Sequence, residues 1–263
     1  MRRTRLRDHS INRLIPNMLT LMALCAGLTS IRFALVAKWE LAVVAILVAA
    51  IFDALDGRIA RLLDSTSKFG AELDSLSDFI SFGVAPAMIL YLWALDQSGR
   101  IGWGLVLVFS ACTALRLARF NTKLDNTDLP AWTSRFFTGV PAPAGAALAL
   151  MPLVGYLEYG PGFFNHPFIV GVTMVGVAGL MVSRLPTFSF KRLKVTQAWV
   201  LPAMLSVTIF IALLASETWK TLLFSGLAYL ASIPFSYRQY QRLQRQRPLA
   251  TPPVLDTEDI DHL

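Results

Sequence analysis

Long runs of apolar residues, separated by short polar connections, make up most of this chain. A helix needs about 17–25 such residues to cross the hydrocarbon core of a bilayer, because each residue advances it by only about 1.5 Å. Windows of this length predict an all-α integral membrane protein with about eight transmembrane helices. The predicted spans are residues 15–36, 39–62, 70–95, 101–120, 140–157, 167–185, 196–215 and 219–237.

Composition supports this reading and excludes an ordinary soluble domain. Hydrophobic residues make up 55% of the 263 positions and charged residues only 16%, and the mean hydropathy is +0.54. A soluble domain of this length carries about 25% charged residues. Cys25 and Cys112 lie within apolar spans, where a thiol usually serves as a small packing group, so they predict neither a disulfide nor a zinc site.

The distribution of basic residues predicts the orientation in the membrane. If the spans alternate, one side holds only Arg32, Lys38, Arg100 and Lys220, and the other side holds the remaining 20 of the 24 basic residues. Because cytoplasmic loops are enriched in Lys and Arg, both termini are expected in the cytoplasm of a bacterial-type inner (cytoplasmic) membrane.

Four aspartates at the cytoplasmic ends of the second and third predicted spans are the main chemical signal. Asp53 and Asp56 are three residues apart and Asp74 and Asp78 are four apart, so each pair lies on one face of its helix. A short polar connection that includes Ser65, Thr66 and Ser67 joins the two helices as a hairpin. The hairpin is therefore expected to bring four carboxylates together.

Carboxylates in an apolar setting need a compensating partner, since a charged Asp near a bilayer centre costs at least about 2.5–3.5 kcal/mol. With no His or Cys nearby, such a cluster suits two hard cations, Mg²⁺ or Mn²⁺, rather than zinc. The alternative is a structural network in which the aspartates pair with Arg58, Arg61 and Lys68. Three cations would leave a fourth carboxylate unpaired.

Small residues beside the carboxylates indicate space for a ligand. Gly57 and Ala60 leave room for a ribose or base, and Arg61 presents a planar guanidinium that suits a phosphate. Asn17 could hydrogen-bond a base from the first span, or it could cap the helix that begins there.

The aspartates and their neighbours fit the pattern D-x2-D-G-x2-A-R-x8-G-x3-D-x3-D at all eight fixed positions, and in this respect the chain resembles the CDP-alcohol phosphotransferase family. The matching positions are Asp53, Asp56, Gly57, Ala60, Arg61, Gly70, Asp74 and Asp78. The resemblance implies a six-helix catalytic core followed by two further helices. It also implies that the four aspartates bind two metal ions, that Asp78 is in addition the catalytic base, and that Gly57, Arg61 and a hydroxyl at Ser67 contact CDP-diacylglycerol.

Further segments resemble the serine-specific members of this family. They are IPNMLTL, SDFISFGVAPA from Ser77, LRLARFN from Leu115 and SRLPTFSFK from Ser183. The resemblance implies transfer of a phosphatidyl group from CDP-diacylglycerol to L-serine with release of CMP. The serine carboxylate would need a cation, and the candidates are Arg116, Arg119, Asn121 and Arg184. These arginines could instead extend to lipid headgroups and only set the topology.

The expected organisation follows from these patterns. Residues 1–14 form a basic cytoplasmic segment, 15–215 the transmembrane core, 216–240 an additional helix, and 241–263 a Pro-rich, acidic cytoplasmic tail expected to be disordered. Membrane lipids are expected partners, nucleic acid is not, and a homodimer is usual among family relatives. Two alternatives stay open: the same reaction on glycerol 3-phosphate, inositol phosphate or choline, and a cation transporter that uses the intramembrane aspartates.

Overall fold

Helices form nearly all of the chain described by the computed structural model, which covers residues 5–65, 67–124, 136–183, 185–188 and 197–246. The helices are α1 (Arg5–Leu35), α2 (Trp39–Leu62), α3 (Lys68–Asp78), α4 (Ala85–Leu90), α5 (Gly99–Leu124), α6 (Ala142–Ala149), α7 (Met151–Tyr159), α8 (Pro167–Val182), α9 (Gln197–Ser216) and α10 (Thr218–Gln246). Two short strands that the sequence did not predict, β1 (Phe136–Thr138) and β2 (Pro186–Phe188), pair antiparallel with Phe136 opposite Phe188.

Each of the eight predicted spans overlaps a helix, so the prediction of an all-α membrane protein is confirmed. By length and composition, three helical stretches of the described chain are sufficient to cross a membrane: Leu14–Leu35, Lys68–Thr122 and Trp199–Ser216. The count of eight spans stays a prediction. Many large apolar side chains face outward, and Leu201, for example, has 77% of its surface exposed. Such an apolar outer surface is suited to contact with lipid rather than with water.

The third and fourth predicted spans form one helical hairpin. After α3, π-helical turns at Phe79–Val84 and Tyr91–Leu95 flank α4, and a single 3₁₀ turn leads to Gly99. Gly99 has a φ of +57°, a backbone conformation that favours glycine, and the chain reverses there. Helix α5 then packs back against α4 and the first π-helical turn.

Close packing between α1 and the third span holds the site region together. An added Cβ at Gly27 of α1 would lie 2.8 Å from the Cα of Ser81. The Ser81 hydroxyl donates a hydrogen bond to the carbonyl of Ala23 (3.2 Å), and the Ser77 hydroxyl donates one to the carbonyl of Thr20 (3.1 Å). These two hydrogen bonds to the backbone of α1 restrict how far α1 can slide along the helix that carries Asp74 and Asp78.

The fifth predicted span is divided in two at Leu150, between α6 and α7. Its small residues do allow close approach: a Cβ at Gly145 would lie 3.1 Å from Cγ of Met181 on α8. The buried core runs through this contact and includes Phe82, Phe109 and Met174.

Candidate active site

The α2–α3 hairpin brings three of the four predicted carboxylates into one group. One oxygen each from Asp53, Asp56 and Asp74 lies within 4.8 Å of the other two. Asp56 is buried, and Asp53 and Asp74 are half-buried. The hairpin can close in this way because Ser67 caps α3, its side chain accepting a hydrogen bond from the backbone N–H of Gly70 at 3.0 Å.

Asp78 lies beside this group, one helical turn after Asp74. It is half-buried, shares a hydrogen bond with the side chain of Asp53, and interacts electrostatically with Asp74 and with Arg116 on α5. Asp78 therefore interacts both with the carboxylate cluster and with the buried guanidinium.

Thr20 of α1 is a site residue that the sequence reading missed. Its hydroxyl donates to Oδ2 of Asp56 at 2.6 Å and lies 3.1 Å from the carbonyl of Pro16. Thr20 is itself buried, with 4% of its surface exposed. The signal that could have identified it is a hydroxyl residue four positions after Pro16, within a mostly apolar segment.

Of the three predicted serine-binding residues that the structure describes, Arg116 is the most deeply buried. It is 8% exposed, and within the part of the chain that the structure describes its Nε has no hydrogen-bond acceptor. Its electrostatic partners are Asp78, Tyr229 and Asp53. A buried guanidinium among carboxylates offsets part of their mutual repulsion, and its free N–H remains available to a ligand.

The other predicted serine-binding residues have different surroundings. Nη1 of Arg119 donates to the carbonyl of Val182 at 2.6 Å, near the end of α8. The side-chain amide of Asn121 donates to the hydroxyl of Ser75 at 2.9 Å. Arg184 lies outside the described residues.

The residues predicted to contact CDP-diacylglycerol lie around the same hairpin. Nothing lies within 4 Å of a Cβ added to Gly57, while a Cβ at Gly70 would lie 3.1 Å from both Oδ1 of Asn17 and Oγ of Ser67. Ala60 is half-buried and Arg61 is exposed. The space over Gly57 is thus open, and Asn17 reaches the start of α3 from α1.

In the part of the chain that the structure describes, Asp56, Asp74 and Asp78 do not form a salt-bridge network with the basic residues of the hairpin. Among the described residues, no ion pair joins Asp56, Asp74 or Asp78 to Arg58, Arg61 or Lys68. A group of carboxylate oxygens, one of them from a buried residue, instead offers the ligands that a hard divalent cation prefers. Asp53, Asp56 and Asp74 are the residues that could hold such an ion.

Fold and site together define a membrane-embedded enzyme with a carboxylate centre suited to divalent metal, and comparison with known proteins assigns the family. The family model described as CDP-alcohol phosphatidyltransferase matches residues 13–183, and a second, CDP-alcohol phosphatidyltransferase 2, matches residues 198–234. The chain belongs to the CDP-alcohol phosphatidyltransferase family, as its aspartate motif predicted.

Several curated relatives carry one name, CDP-diacylglycerol–serine O-phosphatidyltransferase. The protein from Mycobacterium leprae is 38% identical over 240 residues, which is 91% of this chain and 78% of the relative. That from Helicobacter pylori strain 26695 is 35% identical over 223 residues, 84% of this chain and 90% of the relative. That from Bacillus subtilis is 34% identical over 179 residues, 68% of this chain and 92% of the relative.

Proposed function

We propose that this protein transfers the phosphatidyl group of CDP-diacylglycerol to the hydroxyl of L-serine and releases CMP. The observation that carries the proposal is the group formed by Asp53, Asp56 and Asp74, with Asp78 and Arg116 beside it, in a chain of this family. The shared name of the relatives supports serine over glycerol 3-phosphate, inositol phosphate or choline as the acceptor. A cation transporter is not favoured.

In the proposed mechanism Asp78 accepts the proton of the serine hydroxyl. The serine oxygen then forms a bond to the phosphorus that carries the diacylglycerol, and the bond from that phosphorus to the oxygen of CMP breaks. Asp78 is suited to this task because it interacts with the carboxylate group and with Arg116, the candidate residue for binding the acceptor.

We propose Mg²⁺ or Mn²⁺, two ions in all, as the cofactor held by Asp53, Asp56, Asp74 and Asp78. A bound divalent cation would neutralise charge on the diphosphate and on the leaving CMP. The protein's own contribution is to hold the carboxylates ready, with the hydroxyl of Thr20 on Asp56 fixing one of them in orientation.

The nucleotide part of the lipid would lie over the hairpin. Gly57 has open space above it, and Ala60 and Arg61 follow on the same helix. Asn17 of α1 and the capping residue Ser67 lie close to the start of α3. Arg61 would contact the diphosphate, because an exposed guanidinium can reorient toward a phosphate oxygen. Ser67 already accepts a backbone hydrogen bond as the cap of α3, so its contact to the ligand would be an additional one.

For the acceptor, the proposal favours Arg116 among the four candidates. Its Nε is buried without an acceptor, whereas Arg119 and Asn121 already donate to Val182 and Ser75. The site would open toward the cytoplasm, with both termini on that side, and the protein would form a homodimer.

An acceptor panel tests the proposed function. Purified protein would be supplied with CDP-diacylglycerol, Mg²⁺ and one acceptor at a time: L-serine, glycerol 3-phosphate, inositol phosphate or choline. We expect CMP release and formation of a serine-containing lipid with L-serine only. CMP release with a different acceptor, or none with serine from a folded sample, would overturn the assignment.

A further inference from the structure

Helix α10 lies outside the 13–183 match, and its first half falls within the second match at residues 198–234. One of its faces enters the protein interior. Tyr229, Ile233 and Ser236 are spaced four and three residues apart, so they share one face of the helix. Ile233 and Ser236 are buried and Tyr229 is half-buried. Tyr237, next to this face, is exposed. The face that begins at Tyr229 therefore points toward the bundle rather than toward lipid.

Tyr229 lies at a boundary between apolar and polar surroundings. Its side chain lines an apolar cavity of about 220 Å³ together with Ala50 of α2 and Met151 of α7. Ala50 is one turn before Asp53 on α2. The hydroxyl of Tyr229 is buried and interacts electrostatically with Arg116. A tyrosine suits such a place, because its ring is apolar and its tip is polar.

The second observation is the buried guanidinium of Arg116, with which Tyr229 interacts electrostatically. Arg116 is more than nine-tenths buried, and its Nε has no acceptor among the described residues. A buried donor without an acceptor is costly, so the position favours a ligand that supplies one. Because Arg116 also interacts with Asp78, a small acceptor whose hydroxyl lies at Asp78 would bring its other polar groups close to Arg116 and Tyr229.

We propose that Tyr229 completes the acceptor pocket and donates a hydrogen bond, alongside Nε of Arg116, to the carboxylate of a hydroxyl-bearing amino acid. This inference rests on the proposed function. It assigns a specificity role to α10, a helix that the sequence reading treated as an addition to the core. A carboxylate has two oxygens and can accept from both donors at once.

The test compares Tyr229→Phe with the wild-type protein in steady-state assays of CMP release. The KM for L-serine should rise about tenfold, as expected for loss of one hydrogen bond to a charged group, while the KM for CDP-diacylglycerol stays unchanged. Tyr237→Phe is the matched control, since it removes the same hydroxyl from an exposed position of the same helix. It should leave both KM values unchanged.

A double-mutant cycle sharpens the test. Arg116→Lys keeps the charge but removes the Nε donor, and it should also raise the KM for serine. If both side chains bind the same carboxylate, the rise in the KM for L-serine in the double variant should be smaller than the product of the rises in the two single variants.

Each remaining outcome decides against the proposal. A serine KM within twofold of wild type in Tyr229→Phe would overturn it, as would an equal rise in both KM values. An unstable Tyr229→Phe protein, judged by thermal unfolding, would do the same, because a loss of stability would assign the hydroxyl to the fold rather than to the acceptor. Absence of serine-dependent CMP release from the wild-type protein would overturn the proposed function itself, and this inference with it.

Discussion

The hydroxyl of Thr20 donates a hydrogen bond to Oδ2 of Asp56 across 2.6 Å, joining the first helix to the carboxylate group of the second. The backbone carbonyl of the same residue accepts from Ser77 of α3. One residue of α1 thus contacts both helices of the hairpin. The carboxylate of Asp56 also accepts a hydrogen bond from the backbone N–H of Gly57, so it is held in orientation from both α1 and α2.

Thr20→Val removes the hydroxyl and keeps the shape of the side chain. Without that hydrogen bond Asp56 should be less well oriented, so the Mg²⁺ concentration that gives half-maximal CMP release should rise about tenfold. Thr20→Ser, which retains a hydroxyl, is the control and should stay close to wild type. An unchanged Mg²⁺ dependence in Thr20→Val would show that this bond does not organise the site.

Asp78→Asn and Asp53→Asn should lose activity for different reasons. Asn at position 78 cannot accept the proton of the serine hydroxyl, so turnover should fall about 10²–10⁴-fold. Residual Mn²⁺ binding should remain, because Asp53, Asp56 and Asp74 are still present. Asp53→Asn should instead weaken Mn²⁺ binding strongly. Titration of Mn²⁺ into both purified variants checks this difference, and full activity of Asp78→Asn would refute the assignment of the base.

Gly57→Leu should separate substrate binding from stability. Since nothing lies within 4 Å of a Cβ at this position, the fold should tolerate the larger side chain, and helix propensity favours Leu over Gly by about 0.8 kcal/mol. The same side chain would fill the space proposed for the nucleotide, so the KM for CDP-diacylglycerol should rise at least about tenfold.

Gly104→Leu is the control for that change. Gly104 lies on α5 and also has open space around a Cβ. The unfolding temperature should not fall in either variant, and the KM for CDP-diacylglycerol should change only in Gly57→Leu. Equal effects in the two variants would contradict a ligand space at Gly57.

Gly27→Ala should destabilise the protein. The new Cβ would lie 2.8 Å from the backbone Cα of Ser81, and backbone cannot move aside as the end of a flexible side chain can. Overpacking of this kind costs about 1–3 kcal/mol. Gly176→Ala on α8, where no atom lies within 4 Å, should not lower the unfolding temperature. Equal unfolding temperatures for the two variants would contradict the close contact between α1 and Ser81.

Arg119→Ala should affect stability more than acceptor binding. Its guanidinium donates to the carbonyl of Val182, so its loss removes a bond between α5 and the end of α8, worth about 1.5–3 kcal/mol for a charged donor. The unfolding temperature should fall, and the KM for L-serine should change less than in Arg116→Ala. A larger rise in serine KM for Arg119→Ala would make Arg119 the main acceptor-binding residue.

The length of the apolar runs made the hydrophobic spans predictable, and helical periodicity made the pairing of the aspartates predictable. Apolar stretches of sufficient length must form helices in a bilayer, because the backbone has no other way to satisfy its hydrogen bonds there. Spacings of three and four residues place Asp53 with Asp56 and Asp74 with Asp78 on single faces whatever the tertiary structure. The eight-position motif then indicated the family.

The tertiary structure alone decided which distant residues complete the site. Thr20 and Asp56 are separated by 36 positions, and Tyr229 interacts electrostatically with Arg116 from a helix more than a hundred residues further along the chain. Such contacts depend on how whole helices pack, through close approaches such as Gly27 with Ser81, and no local spacing encodes them. The pairing of β1 with β2 and the hydrogen bond from Arg119 to the carbonyl of Val182 likewise depend on helix packing. The sequence by itself therefore determined the fold class and the carboxylates, while packing between helices determined the residues that orient them.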